Sequence, residues 1–251
     1  NTLTSRWGQY TPDDHQALFR GNVKLVNSKF VLTADSLGYN TESYQSDLIG
    51  PTTILYEEET TILSTNGWYN TKTELSQLLD RSLIIHEDGM TLTGDTIFYD
   101  KANGYGRCIG NIESTDSTNQ MTLYGDFSEV WEDGNRGYVT DSAMMLDWSD
   151  STAFTYMHAD TLWTEEIFYP IYSLQPRDSI LIDSVMTPQM LDTLWRDTSY
   201  QQLRAFHHVR IYRSDIQAVC DSARYHGRDS LLTLFGLPIC WNEDNQISAD
   251  Q

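Results

Sequence analysis

"MTLTGDTIFYDKANGYGRCIGNIES", residues 90–114, holds the pattern on which the fold turns. Met90, Leu92, Ile97 and Tyr99 recur at the period of half-buried β structure. Asp95 interrupts the first alternation and Gly110 interrupts the next, fifteen residues on. Both interruptions return along the chain. Anchored on Asp95, the segments "FVLTADSLGY" (30–39), "TILSTNGWY" (61–69), "MTLYGDFSEVW" (121–131), "TYMHADTLW" (155–163), "IQAVCDSARY" (216–225) and "NQISAD" (245–250) align with "MTLTGDTIFY" (90–99). The acid or amide falls at Asp35, Asn66, Asp95, Asp126, Asp160, Asp221 and Asp250, at intervals of 31, 29, 31, 34, 61 and 29. "LTSRWGQY" near the N-terminus resembles a further copy with Arg6 at the anchor.

Other positions follow the same period. Three before the anchor stand Leu32, Leu63, Leu92, Leu123, Met157, Ala218 and Ile247; one before it stand small residues such as Ala34, Gly94, Gly125 and Ala159. Half a period later come Gly50, Asp80, Gly110, Asp141 and Gly236, and Gly21 precedes the first anchor. Two or four residues beyond these lie Val23 and Leu25, Ile54, Ile84, Ile112, Ala143 and Met145. Gly, Asn and Asp accept the backbone of a sharp bend, so both markers read as corners. Asp35, Asn66, Asp95, Asp126, Asp160, Asp221, Gly50 and Gly110 are therefore expected to be structural. Small residues beside a corner fit where two sheets converge. The expectation is an all-β, solenoid-like fold of coils of about 30 residues, whose two facing sheets enclose apolar columns. The inward columns would be Leu32, Leu63, Leu92, Leu123 and Met157, with Val23, Leu25, Ile54, Ile84, Ile112 and Met145.

The whole chain, 1–251, reads as one domain, with its least regular part at 164–206. That part holds Pro170, Pro176 and Pro188, three of the six prolines, which suit neither central strands nor their ladders. An inserted loop or hairpin is favoured there over one more, degenerate coil cornered at Asp178 and Asp192, where Gln189 and Leu191 break the pattern. The repeat resumes at "HHVRIYRSDIQAVCDSARY", with Val209 and Ile211 matching Val23 and Leu25. At "ISADQ" the pattern is still in mid-coil, as expected of a chain that continues. "NTLTSRWGQY" carries no charged-then-apolar leader, so a leader is either absent or removed.

Composition narrows the function. Thirty-six Asp and Glu against sixteen Lys and Arg give a net charge of −20, which argues against a nucleic-acid partner. No apolar run approaches the length of a membrane-spanning helix. Cys108, Cys220 and Cys240 are too scattered for a zinc site or a disulfide framework. Buried thiols are the plain reading, with a Cys220–Cys240 bridge open in an oxidising compartment. No nucleophile elbow, P-loop, zincin or dinucleotide motif occurs, so no enzyme and no cofactor is expected. His207 and His208, adjacent on a strand, would face opposite ways and could not share an ion. One acid per thirty residues offers too few oxygens for calcium, so no metal is expected. A glycosidase would need a carboxylate pair, and the sequence prefers none.

"LTADSLGYN", "LSTNGWYN", "LTGDTIFYD" and "MHADTLW", alternating with "GNVKLV" and "GNIES", resemble the OstA/LptA-type proteins of lipopolysaccharide transport. "AFHHVRIYRSDIQAVCDSARY" is similar to a stretch of the OstA-like branch. The resemblance covers roughly 20–163 and 205–250. It implies a β-jellyroll of V-shaped section, open at both ends and located in the periplasm. It further implies lipopolysaccharide and other transport jellyrolls as partners, with end-to-end stacking into a bridge. The 164–206 segment and the acidity depart from the smallest members, which leaves open whether the chain is the bridge or the periplasmic part of an outer-membrane component. The apolar columns would then hold acyl chains, each buried CH₂ contributing about 0.8 kcal/mol. The competing reading is a structural or adhesive β-solenoid, whose core would be closed and dry.

Overall fold

The computed structural model describes residues 2–176, 191–242 and 245–249. Asp178, Pro188, Gln189 and Asp250, named above, lie outside them. The chain is all-β: apart from two single-turn 3₁₀ segments, the described elements are strands. Eight long strands follow one another as an antiparallel meander: β3 (Gln16–Val26), β4 (Phe30–Asn40), β5 (Gln45–Tyr56), β6 (Thr60–Asn70), β7 (Leu75–His86), β8 (Met90–Asp100), β9 (Tyr105–Asp116) and β10 (Met121–Trp131). The short β1 (Thr2–Thr4) and β2 (Trp7–Thr11) both pair with β3, as two halves of one strand. Beyond β10 other strands are divided the same way: β11 (Arg136–Thr140) with β12 (Met144–Asp147), and β13 (Thr155–His158) with β14 (Thr161–Pro176). After the unbroken β15 (Leu191–Arg213) and β16 (Ile216–His226) come β17 (Leu231–Phe235), β18 (Ile239–Asn242) and β19 (Asn245–Ser248).

Every long strand bends at mid-length, and the pairing register shows how. Arg20 pairs with Ser36 and Val23 with Ala34, so Gly21 and Asn22 stand against Asp35 alone. The same two-against-one bulge sets Gly50–Pro51 against Asp35, Asp80–Arg81 against Asp95, Gly110–Asn111 against Asp126 and His207–His208 against Asp221. Such bulges bend a strand and sharpen its twist. The two-residue side takes left-handed backbone: φ is +76° at Gly21, +83° at Gly50, +61° at Asp80 and +79° at Gly110. None of the one-residue acids is among the positive-φ residues. The two corner markers are thus different parts of one joint. Gly and Asx supply the backbone, while the acid on the neighbouring strand spans it. Backbone N–H groups of Arg6, Asp126 and Asp160 donate to the carbonyls of Gly21, Asp141 and His207.

The unit of about 30 residues is therefore a pair of antiparallel strands, each folded once, rather than one turn of a continuous coil. Two arms result, joined by continuous strands along the ridge of corners and ending on the other side in hairpin tips. The buried core lies between them. Val23, Leu32 and Ala34 on one side of the corners share a cluster with Leu37, Leu48, Leu78 and Cys108 on the other. A second cluster, from Val139 to Ala223, continues it. Small residues before the anchor let the arms converge: a Cβ at Gly94 would overlap Cys108 Sγ, and one at Gly125 would overlap Val139 Cγ2. Burial pushes the Cys108 thiol up to about 11. Beside the ridge the core is partly polar. Thr52, Ser64 and Ser82 are buried there, and the Ser82 hydroxyl donates to Ser64 Oγ at 2.9 Å.

The long interval between Asp160 and Asp221 holds one strand pair, lengthened. β14 and β15 pair from Thr161–Phe206 out to Pro176–Leu191. β11 and β16 accompany this ribbon only as far as Thr164 and Gln202. Pro170 and Pro176 thus sit in a strand paired on a single side, where a missing N–H is tolerated. Gly94→Ala is expected to lower stability by about 1–3 kcal/mol through overpacking between the arms. Cys108→Ala in the same chain should return part of that loss, measured by urea denaturation of both single variants and the double one.

Candidate functional site

The space between the arms is the candidate site. Next to the ridge it is filled: Val23, Leu32, Ile112, Met145 and Met157 are buried. One step toward the mouth, Leu25, Ile54, Ile62, Ile84 and Leu92 are half-buried against one core cluster and Leu123 against the other. The opposing arm presents Tyr39, Tyr69 and Tyr99, each half-buried and each on the strand face shared with a buried neighbour such as Leu37 or Ile97. Tyr69 and Tyr99 have their phenols pushed up by burial, and the Tyr99 hydroxyl donates to Glu132 at 2.5 Å. The tyrosines stand in the "GY", "WY" and "FY" pairs of the repeat, a signal present in the sequence but not weighed.

Val130 shows that this space communicates with solvent. It lies opposite both Gly106 and Gly137, on the face that carries the buried Cys108 and Val139 in those strands, yet it is 48% exposed. With glycine on either side, the wall is recessed around it. The hairpin tips form the rims of the cleft and are tied to one another. Thr41, Thr71, Lys101 and Glu132 donate backbone N–H to the carbonyls of His15, Tyr44, Glu74 and Gly104 on preceding tips. Asn40 and Asn70 cap their own turns through the side-chain oxygen.

Two expected positions are corrected. Asn66 is not the corner: Ile49 pairs with Asn66 and Thr52 with Ser64, so Thr65 stands against Gly50 and Pro51. Its hydroxyl donates to Asp80. A slip of one residue exchanges the faces of a strand. Leu63 accordingly points away from the cleft and is 38% exposed, while Ile62 takes the inward place. Ile247, at the last aligned position, is 66% exposed on β19, which pairs with β18. Asp35, Asp95, Asp126, Asp160 and Asp221 do lie at corners, on the outer ridge. The Asn111 amide donates to Asp95 at 2.6 Å and its backbone N–H to Asp126. Arg81 donates to Asn111 O at 2.7 Å.

His207 and His208 form a corner, both with positive φ. Rather than splitting to opposite faces, each reaches the acid on a different flank: His208 Nδ1 lies 2.9 Å from Asp160, and His207 Nδ1 3.3 Å from Asp221. The Ser222 hydroxyl, with His207, holds the Asp221 carboxyl below its usual range. No cluster of three or more metal-ligating side chains occurs among the described residues. All three cysteines are free thiols.

An open, all-β jellyroll with an apolar interior and a polar rim is the class that fold and cleft define. Residues 1–35 match the family model described as OstA-like protein, in agreement with the resemblance carried by the repeat. No curated protein matches the chain. A solved structure similar to it is LptH, the LptA-homologous periplasmic component of the lipopolysaccharide transport device of Pseudomonas aeruginosa. That similarity has 19% identity and a TM-score of 0.36, covering 39% of this chain and 74% of LptH.

The register assignment makes a direct prediction. Ile62→Ala should cost about 1–3 kcal/mol, as removal of a packed side chain does, whereas Leu63→Ala should stay within about 0.5 kcal/mol. Equal losses in thermal or urea unfolding would contradict the assigned faces.

Proposed function

We propose that the protein is a non-enzymatic carrier of lipopolysaccharide, holding lipid A acyl chains between its arms and handing them along the cleft. The carrying observation is Val130, a cleft-side valine left open between two glycines. Leu25, Ile54, Ile62, Ile84, Leu92 and Leu123 supply a row of partly covered apolar groups that a chain could complete. The buried Val23, Leu32, Ile112, Met145 and Met157 form the floor under that row and shape it. Among the described residues no charged side chain is buried, so nothing in that floor would trap a sliding alkyl chain. The OstA-like match of residues 1–35 supports the same reading, and with it a periplasmic location alongside other transport jellyrolls. A closed structural or adhesive solenoid is disfavoured, because sheets joined by strands along one ridge and ending in hairpin tips along the other leave an opening.

Photo-crosslinking amino acids placed at Ile62, Leu92 and Leu123 should yield lipopolysaccharide adducts in cells, and one at Leu63 should not. A lack of adducts at all three inward positions would refute the carrier reading.

End-to-end stacking belongs to the same proposal. Edge pairing of β1 and β2 of one copy, which run beside β3, with β19 of another, which runs beside β18, would supply it. The mass from light scattering should rise with concentration; a constant monomer mass at high concentration would exclude assembly through these ends.

A further inference from the structure

One contact spans the mouth of the cleft. Tyr56 ends β5 on the face of Thr52 and Ile54, and Lys101 follows β8 beyond Ile97 and Tyr99, in the other arm. The Lys101 ammonium donates to the Tyr56 hydroxyl and lies 4.5 Å from the centre of its ring. Lys29 belongs to the same rim: its carbonyl accepts the Glu57 N–H, and Phe30 beside it pairs with Tyr56.

In a chain of net charge −20, two lysines at one opening invite explanation. Several other cations are engaged on acids elsewhere: Arg81 with Asp95, Arg204 with Glu165 and Arg213 with Asp215. Among the described residues neither Lys29 nor Lys101 forms an ion pair. Two carboxylates of this rim are occupied by tyrosines, Glu57 by the Tyr56 hydroxyl at 2.9 Å and Glu132 by that of Tyr99. Lys101 is partly desolvated and feels the positive charge of Lys29, which together hold its ammonium below the usual range, against a smaller opposing pull from Glu132. Like charges held this way, with ammonium donors to spare, are relieved by a multiply charged anion.

We propose that Lys29 and Lys101 form a subsite for a phosphate group on an acylated ligand whose chains lie in the cleft. This rests on the carrier reading above. The apolar floor would bind the chains, and the rim would fix how deep and which way round the head sits. Because Lys101 and Lys29 come from opposite arms, a phosphate held by both would also tie the arms together.

Binding of lipid A bearing its phosphates should be compared with that of enzymatically dephosphorylated lipid A, by calorimetry on the full chain. The wild type should favour the phosphorylated lipid by about tenfold, the scale of one charge-assisted contact. Lys29→Gln with Lys101→Gln should abolish the preference while leaving the dephosphorylated lipid bound as before. Lys29→Arg with Lys101→Arg, which keeps both charges, should retain it. An undiminished preference in the glutamine variant, or none in the wild type, overturns the subsite and leaves the carrier reading standing. Failure of the wild type to bind either lipid overturns both. Inorganic phosphate as competitor should leave the phosphorylated lipid bound; displacement would reassign the site to free phosphate and overturn the headgroup assignment.

Discussion

The two-against-one bulge is the constraint on which the rest of the molecule depends. A long antiparallel strand left to itself twists smoothly, and a meander of such strands would give one open sheet with an apolar face in water. One extra residue per bulge on alternate strands, with left-handed backbone at Gly21, Gly50, Asp80 and Gly110, bends the sheet through one line, and the two halves of that face meet. The acids then serve the joint from outside. Asp95 takes the Asn111 amide and Asp126 takes the Asn111 N–H, so polar groups displaced from the ladder find partners. Small residues at Ala34, Ser64, Gly94 and Gly125 keep the inner angle narrow. Apolar burial stabilises the closed arms, but the corner fixes where closure occurs.

The inside is graded as a result. Side chains next to the ridge touch those of the opposite arm and are buried; those farther out diverge with the arms and are only half covered. An apolar side chain in such a place retains contact area for a ligand that a closed core would not offer. Tyrosines line the outer part of one wall, where a ring can face the cleft while its hydroxyl reaches the polar rim. The cleft thus changes from dry to wet over a few residues of strand.

Much of this was legible in the sequence, because the corner demands particular chemistry at a fixed interval. Gly21, Gly50, Gly110 and Asp80 were visible for that reason, as were the small residues before the anchors. What failed was telling apart the two sides of the joint. The one-residue side needs no special backbone, so Thr65 serves there as well as Asp95, and Asn66 beside it matched the chemistry without holding the place. "TTILSTNGW" offers both Ile62 and Leu63 as apolar candidates, so alternation could not correct the slip. His207 and His208 were obscured because histidine is not among the Gly, Asn and Asp residues that mark the other corners, and their partners, Asp160 and Asp221, lie on separate strands. Strand direction was also hidden: a repeat of thirty residues fits one turn of a coil or a folded hairpin pair equally well. The choice rests on tips such as Asn40 and Asn70, whose capping role is local and easily read as part of a strand.

The hairpin connections also govern how such a chain grows. Nearly every strand lies beside its neighbours in sequence, so the loops to be closed on folding are short. Each new pair of strands needs the one before it as a template and little else. The trough can therefore change length by whole pairs without altering its cross-section. A pair can likewise be stretched, as β14 and β15 are, raising one wall locally while the neighbouring strands keep their register. Length and wall height are set by separate stretches of sequence, and only the corner residues are common to both.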